Sequence, residues 1–164
     1  MTALSHISIV AFTGHRTYAD NAHDTLRATI EELYRCGART FRVGMAMGFD
    51  LAAGEAVVEL QQRYSDVVIE AIIPWYGFAD RFASCDRARY DAILRRATTI
   101  HYLASSYSIR LFHLRNDLLV RGADVLVAWY NGSKGGTEYT VRRARRSGVR
   151  CINLYSDGQL AINL

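Results

Sequence analysis

Apolar positions in this chain switch between two rhythms. Residues 7–13, 40–45, 67–73, 99–103, 124–129 and 149–154 are short, nearly unbroken apolar runs, the signature of parallel strands covered on both faces. Between them the apolar residues fall at helical spacing. Leu26, Ile30 and Leu33 mark one helix, with Gly37 as its C-terminal stop, and Ala53, Val57, Leu60 and Tyr64 mark a second. A less regular helix is expected over 85–96. Leu111, Leu114 and Leu118 mark the stripe of one over 108–121, and residues 139–147 read as the last. Strands alternating with helices predict an α/β fold: a Rossmann-like, doubly wound, mostly parallel sheet with helices on both faces. In such sheets ligands bind beyond the carboxyl ends of the strands, near the point where strand order reverses. Pro74, the one proline, ends the third strand. The loop over 75–84 that follows carries Trp75, Tyr76, Phe78 and Phe82, a candidate lid or dimer contact.

A length of 164 residues suits one domain over 1–164. Half the residues are apolar and 22% charged, an ordinary globular balance. The net charge of +4 fits an anionic ligand or simply a basic surface. Arg142, Arg143, Arg145 and Arg146 crowd the end of the last helix, either as a solvated face favoured by the helix dipole or as a contact for nucleic acid or a partner. Cys36, Cys85 and Cys151 are isolated, and no histidine falls at zinc-ligand spacing. Free thiols and no metal site are therefore expected. No apolar run is long enough for a signal peptide or membrane span, so a cytoplasmic location without a membrane partner is expected.

The strand-to-helix junctions carry the chemistry. After the fifth strand comes Asn131-Gly132-Ser133-Lys134-Gly135-Gly136-Thr137-Glu138, a glycine-rich turn in which backbone N–H groups and a helix N-terminus approach an anion. Gly14, His15 and Arg16 follow the first strand. Arg16 is suited to clamp a phosphate, while His15 either donates to that phosphate or caps the turn. Gly44 and Gly48 bracket a second small-residue turn, and Asp50 opens the next helix either as a first-turn acid or as a ribose or base contact. Neither Gly-x-Gly-x-x-Gly nor a Walker sequence is present. Arg115, on the inward side of its helix, needs an anion: Asp117, Asp124 or the ligand. Trp75 and Trp129 are candidates to face a base. Glu138 is either a dipole-favoured first-turn acid or a carboxylate for N-glycosidic cleavage.

Thr13-Gly14-His15-Arg16, the stretch Gly44 to Ala53, Ile73-Pro74-Trp75, Arg115-Asn116 and Lys134-Gly135-Gly136-Thr137 together resemble the SLOG superfamily of Rossmann-like domains, and within it the YpsA-like branch. The resemblance spans about residues 7–155. It implies a pocket for a nucleotide or an ADP-ribose-like derivative, a sensing or regulatory role, and self-association as a homodimer. Lonely Guy-type phosphoribohydrolases are relatives with Pro-Gly-Gly-x-Gly-Thr followed by x-Glu-Glu. Here Glu138 follows Thr137 directly, about 100° away on a helix from the family's position. DNA-processing protein A, another relative, binds single-stranded DNA and shares the Gly-x-Asp and Arg-Asn patterns of Gly48-Phe49-Asp50 and Arg115-Asn116. The expected site thus comprises Gly14, His15, Arg16, Gly44, Gly48 and Asp50 from the first half. Trp75, Arg115, Asn116, Gly132, Ser133 and Gly135 to Glu138 complete it, with Glu138 as the catalytic candidate if there is turnover.

Overall fold

The computed structural model describes residues 6–156. Its elements follow the predicted alternation: β1 (Ile9–Gly14), α1 (His23–Arg35), β2 (Thr40–Val43), α2 (Phe49–Arg63), β3 (Val68–Ile73), α3 (Ser84–Arg96), β4 (Thr99–Tyr102), α4 (Arg110–Val120), β5 (Val125–Trp129), α5 (Gly136–Arg146) and β6 (Arg150–Asn153). The strands form one sheet in the order β4-β3-β2-β1-β5-β6, and every pair is parallel. The chain steps outward from β1 to β4, then returns through α4 to place β5 on the other side of β1. Strand order therefore reverses between β1 and β5, where Gly14 registers with Trp129.

Two separate apolar clusters show that both faces are covered. Phe12, Phe41, Phe49, Ile69 and Leu26 belong to the larger, which packs α1, α2 and α3 on one face. Ala11, Leu126, Leu119, Val141 and Ala144 belong to the smaller, under α4 and α5. The central strands read as continuous apolar runs because both sides are buried. All four residues of β4 are exposed instead, because it is the sheet edge. Arg42 secures the return helix: its Nε pairs with Glu70 on the adjacent strand at 3.0 Å, and its Nη1 meets the Leu118, Leu119 and Arg121 carbonyls at 2.5–3.3 Å. Those carbonyls end α4 and have no intrahelical donor.

Three local differences from the periodicity have physical causes. The second strand stops at Val43 because Met45 adopts φ +67, outside extended backbone. The last helix starts at Gly136, earlier than its apolar spacing suggests, because Gly135 at φ +143 turns the chain into it. On α4 the buried side is Leu111, Arg115, Asn116, Leu119 and Val120, whereas Leu114 is 45% exposed. The stripe is rotated from the leucine spacing because the helix tilts Arg115 and Asn116 toward the carboxyl ends of the strands.

Gly48 precedes α2 at φ +79, and a Cβ there would lie 2.5 Å from the Arg16 carbonyl oxygen. Gly48→Ala is expected to cost about 2–4 kcal/mol in urea denaturation, from backbone strain plus overlap with main chain. Gly54→Ala, whose Cβ would meet Ile93 Cδ1 at 2.8 Å and Cγ2 at 3.2 Å, is expected to cost less, about 1–2 kcal/mol, since crowding of a buried β-branched side chain is partly offset by alanine's helix propensity.

Candidate functional site

Where β1 and β5 part, their carboxyl ends and the starts of α2 and α5 enclose a cleft of about 640 Å³, with α4 as one wall. Seven polar or charged side chains are buried among the described residues, and five of them line this cleft: Thr13, Asp50, Arg115, Asn116 and Thr137. Burying polar groups costs free energy unless they are paired. Their convergence on one concavity therefore separates this place from the rest of the core.

Asp50 and Arg115 form its floor. The Asp50 carboxylate turns back from the first turn of α2 and accepts the Ala46 N–H at 3.1 Å, with Arg115 Nη1 4.0 Å away. Arg115 also donates from Nη1 to the Gly44 carbonyl and from Nε to Asn116 Oδ1, the latter at 2.8 Å. Burial pushes the Asp50 carboxyl above its ordinary range, opposed by the Arg115 charge and the Ala46 N–H. Burial likewise lowers the Arg115 guanidinium, opposed by Asp50. Gly44 lies beneath the pair rather than in the cleft lining: a Cβ there would sit 2.8 Å from Asp50 Oδ2 and 3.0 Å from Arg115 Nη1. The turn admits no side chain at that position.

The upper wall is main chain. Gly135, Gly136 and Thr137 line the cleft at the N-terminus of α5, which has no side-chain cap. Its first N–H groups, free of intrahelical partners, present a positive dipole end. Asn116 Nδ2 would lie 3.7 Å from a Cβ on Gly136, so the amide's donor end faces the same turn. Arg16 and Lys134 are exposed at the rim, Arg16 stacked 5.8 Å from the Phe112 ring centre. His15 joins the two loops: its Nε2 accepts the Asn131 N–H at 3.0 Å. The proton therefore resides on Nδ1, and burial holds the imidazole below its ordinary pKa, partly opposed by the Asn131 side chain.

Nine of the fifteen expected residues touch or complete this cleft: Gly14, His15, Arg16, Asp50, Arg115, Asn116, Gly135, Gly136 and Thr137. Six are placed elsewhere. Gly44 lies under the floor, and Gly48 caps α2 behind it. Gly132 and Ser133 are exposed outside the lining, where Ser133 is folded onto Asn131 Oδ1. Trp75 packs at right angles on Phe78, Tyr107 and Phe112 beside a separate cavity. Glu138 turns to Tyr130 Oη at 3.5 Å and Arg142 at 3.5 Å. Trp129 is core, packed on Tyr18 and Tyr155. Asp117, suggested as a partner for Arg115, instead binds Tyr139 Oη at 2.8 Å, and Asp124 accepts the Ser8 and Ile9 N–H groups.

Sequence reading missed the α4 wall. Ile109, Phe112, His113 and Leu119 line the cleft beside the expected Arg115 and Asn116 and recur with them at helical spacing. Their mixed polarity hides the period beneath the more obvious leucines. His113 stacks on Tyr139 at 4.1 Å, clamping α4 to α5 and closing that side. No group of His, Cys, Asp or Glu side chains suited to a metal occurs among the described residues.

Comparison with known proteins converges on one lineage. The family model of the YspA SLOG family (YpsA) matches residues 6–151. UPF0398 proteins of Bacillus cereus strain B4264 and Bacillus thuringiensis strain Al Hakam are each 24% identical over 156 residues, covering 87% of this chain and 85% of theirs. Among solved structures, DNA processing protein A of Helicobacter pylori, described for its single-stranded DNA binding mode, superposes with a TM-score of 0.68 at 17% identity. That match covers 98% of this chain and 71% of the other. The Streptococcus pneumoniae protein of the same name gives 0.65 at 18% identity, and this chain spans half its length. At these identities the likeness is one of fold.

Two outcomes follow from the buried groups. Arg115→Met is expected to cost about 3–5 kcal/mol at neutral pH by leaving Asp50 charged and unpaired. The folded-state pKa of Asp50 is raised, so the folded protein takes up that proton before the unfolded chain does. The loss should shrink as pH falls in urea denaturation at pH 7.5 and 5, and Asp50→Asn in the same background should restore most of it. His15 has the opposite sign: its folded pKa is lowered, so the Asn131 link is complete above pH 6.5 and is lost as pH falls through the folded value. The Asn131 amide resonance should report a midpoint below 6.5, and one at or above that value contradicts the burial described.

Proposed function

The chain belongs to the YspA SLOG family, and on that footing we propose that the cleft binds a nucleotide unit, phosphate toward α5 and sugar toward Asp50. The supporting observation is the convergence of five buried polar side chains on one cleft at the strand-order reversal. The uncapped α5 N-terminus, the Asn116 amide, Arg16 and Lys134 surround a position suited to a phosphate. Asp50 presents an acceptor to hydroxyls from below. Phe112 and Ile109 on α4 offer an apolar wall for a base or second sugar, a role first considered for Trp75 and Trp129. An ADP-ribose-like molecule meets the same requirements as a mononucleotide, because both carry a phosphate ester beside a ribose.

The role this supports is recognition, in sensing or regulation. The N-glycosidic hydrolase reading names Glu138 as its carboxylate, and Glu138 lies outside the cleft lining, bonded to Tyr130 and paired with Arg142, while the Asp50 carboxylate is held by Arg115 and the Ala46 N–H. A nucleotide in a single strand carries the same phosphate, sugar and base. The strand binding described for the Helicobacter pylori protein therefore fits this cleft as a second occupant.

Binding is tested by thermal stability and calorimetry with AMP, ADP, NAD and ADP-ribose. A ligand near a hundred times its Kd should add about 2.7 kcal/mol of stability. Arg16→Ala is expected to weaken it about ten-fold or more, as for the loss of a charge-assisted hydrogen bond, and Gly135→Val to abolish it. Glu138→Gln should leave affinity unchanged. Undiminished affinity in both Arg16→Ala and Gly135→Val would refute the placement.

A further inference from the structure

One further cavity shares a wall residue with the cleft, and a third shares wall residues with that one. Arg110 lines both the cleft and a groove of about 510 Å³ along the loop before α4. Ser106 and Tyr107 line both that groove and a third cavity, of about 720 Å³, framed by Trp75, Tyr76 and Arg81. Linked through these shared residues, the three form a track from the β5–α5 turn around the start of α4 to the loops after β3 and β4.

Cations and rings share this track. Arg16 and Lys134 stand at the cleft, Arg110 at the junction and Arg81 at the far end. Among the described residues none of these four is in an ion pair. The acids on the track are already engaged: Asp80 by Arg87 at 3.4 Å, and Asp50 by Arg115 on the cleft floor. Tyr107 is 62% exposed and Tyr76 69%, although both are large rings beside an aromatic cluster. Each is held at an angle by a neighbouring ring and keeps a face open: Tyr107 on Trp75 at 5.0 Å and Tyr76 on Tyr102 at 5.2 Å. The Tyr76 N–H donates to the Ala104 carbonyl at 2.9 Å, fastening together the two loops that carry these rings. The ring faces are thus set in place before any ligand arrives.

We infer that this track receives a short single-stranded oligonucleotide, with its terminal phosphate in the cleft and successive bases on Tyr107 and Tyr76. The inference rests on the nucleotide-binding reading of the cleft and names the ligand class that cleft serves. A single strand is the polymer in which phosphates alternate with flat faces, and sites for it combine cations with stacking aromatics. An acidic peptide matches the charges but leaves two exposed tyrosine faces without a partner.

The test uses 5′-phosphorylated oligodeoxyadenylates of one to six nucleotides, titrated by calorimetry at several salt concentrations. Affinity should rise with length and then level off. The salt dependence should steepen as Arg110 and Arg81 are engaged, because each neutralised phosphate releases counterions. Tyr107→Ala and Tyr76→Ala should each weaken the hexamer roughly ten-fold or more while leaving the mononucleotide unchanged, and Tyr107→Phe should retain hexamer affinity. Both positions are exposed, and an unchanged melting temperature of the variants identifies the effect as local. Mononucleotide binding with no gain in length, or a hexamer indifferent to both alanine variants, overturns the inference and leaves the cleft reading intact. Failure of every length to bind overturns both.

Discussion

Arg115 joins the two helical layers of this protein at the point where the sheet leaves room for a ligand. It rises from α4 on one face and meets Asp50 of α2, which packs on the other, together with the Gly44 carbonyl at the end of β2. Each charge is costly to bury, and each offsets the cost of the other. Much of the local geometry follows from that requirement. Gly44 has no side chain because the pair closes over it. Met45 takes a left-handed backbone conformation, and the next residue's N–H reaches Asp50. Asn116 turns its carbonyl to Arg115 and so presents its amide nitrogen toward the α5 turn.

The wall at the α5 turn is built from main chain, which suits the recognition of anions. Small residues at the α5 turn allow close approach, and the helix start supplies oriented N–H groups at no conformational cost. His15 adds a cross-link between the β1 and β5 loops that depends on a neutral imidazole. The two loops beside the cleft are therefore tied together in a pH-dependent way. The stack of His113 on Tyr139, with Asp117 bound to the Tyr139 hydroxyl, holds α4 and α5 at a constant separation.

Membership of the SLOG lineage and likeness to DNA processing protein A describe an architecture on which different ligands are accommodated. In this chain Glu138 lies outside the cleft lining on Tyr130 and Arg142, α4 and the residue before it supply a mixed wall of Ile109, Phe112 and His113, and exposed tyrosines stand beyond it.

Much of this was legible in the residues themselves. Apolar runs and helical spacing located all eleven elements, because burial on two faces or one stripe imposes a period that survives without the fold. The glycine turns and the polar residues at strand ends marked nine of the fifteen expected site positions, since a parallel sheet collects its ligand groups there. Direction was only partly legible. The inward position of Arg115 was legible, but the leucine spacing on α4 also pointed to Leu114, which is exposed, and did not show that Asn116 is buried. Glu138 lies one residue from the cleft lining and is engaged by Tyr130 and Arg142, while Trp75 and Trp129 became packing partners. A sequence determines which groups sit at the end of each element, because that depends on local chain geometry and burial. Only the tertiary structure decides which of them share a cavity, because that depends on helix rotation and tilt set by packing against elements distant in the chain.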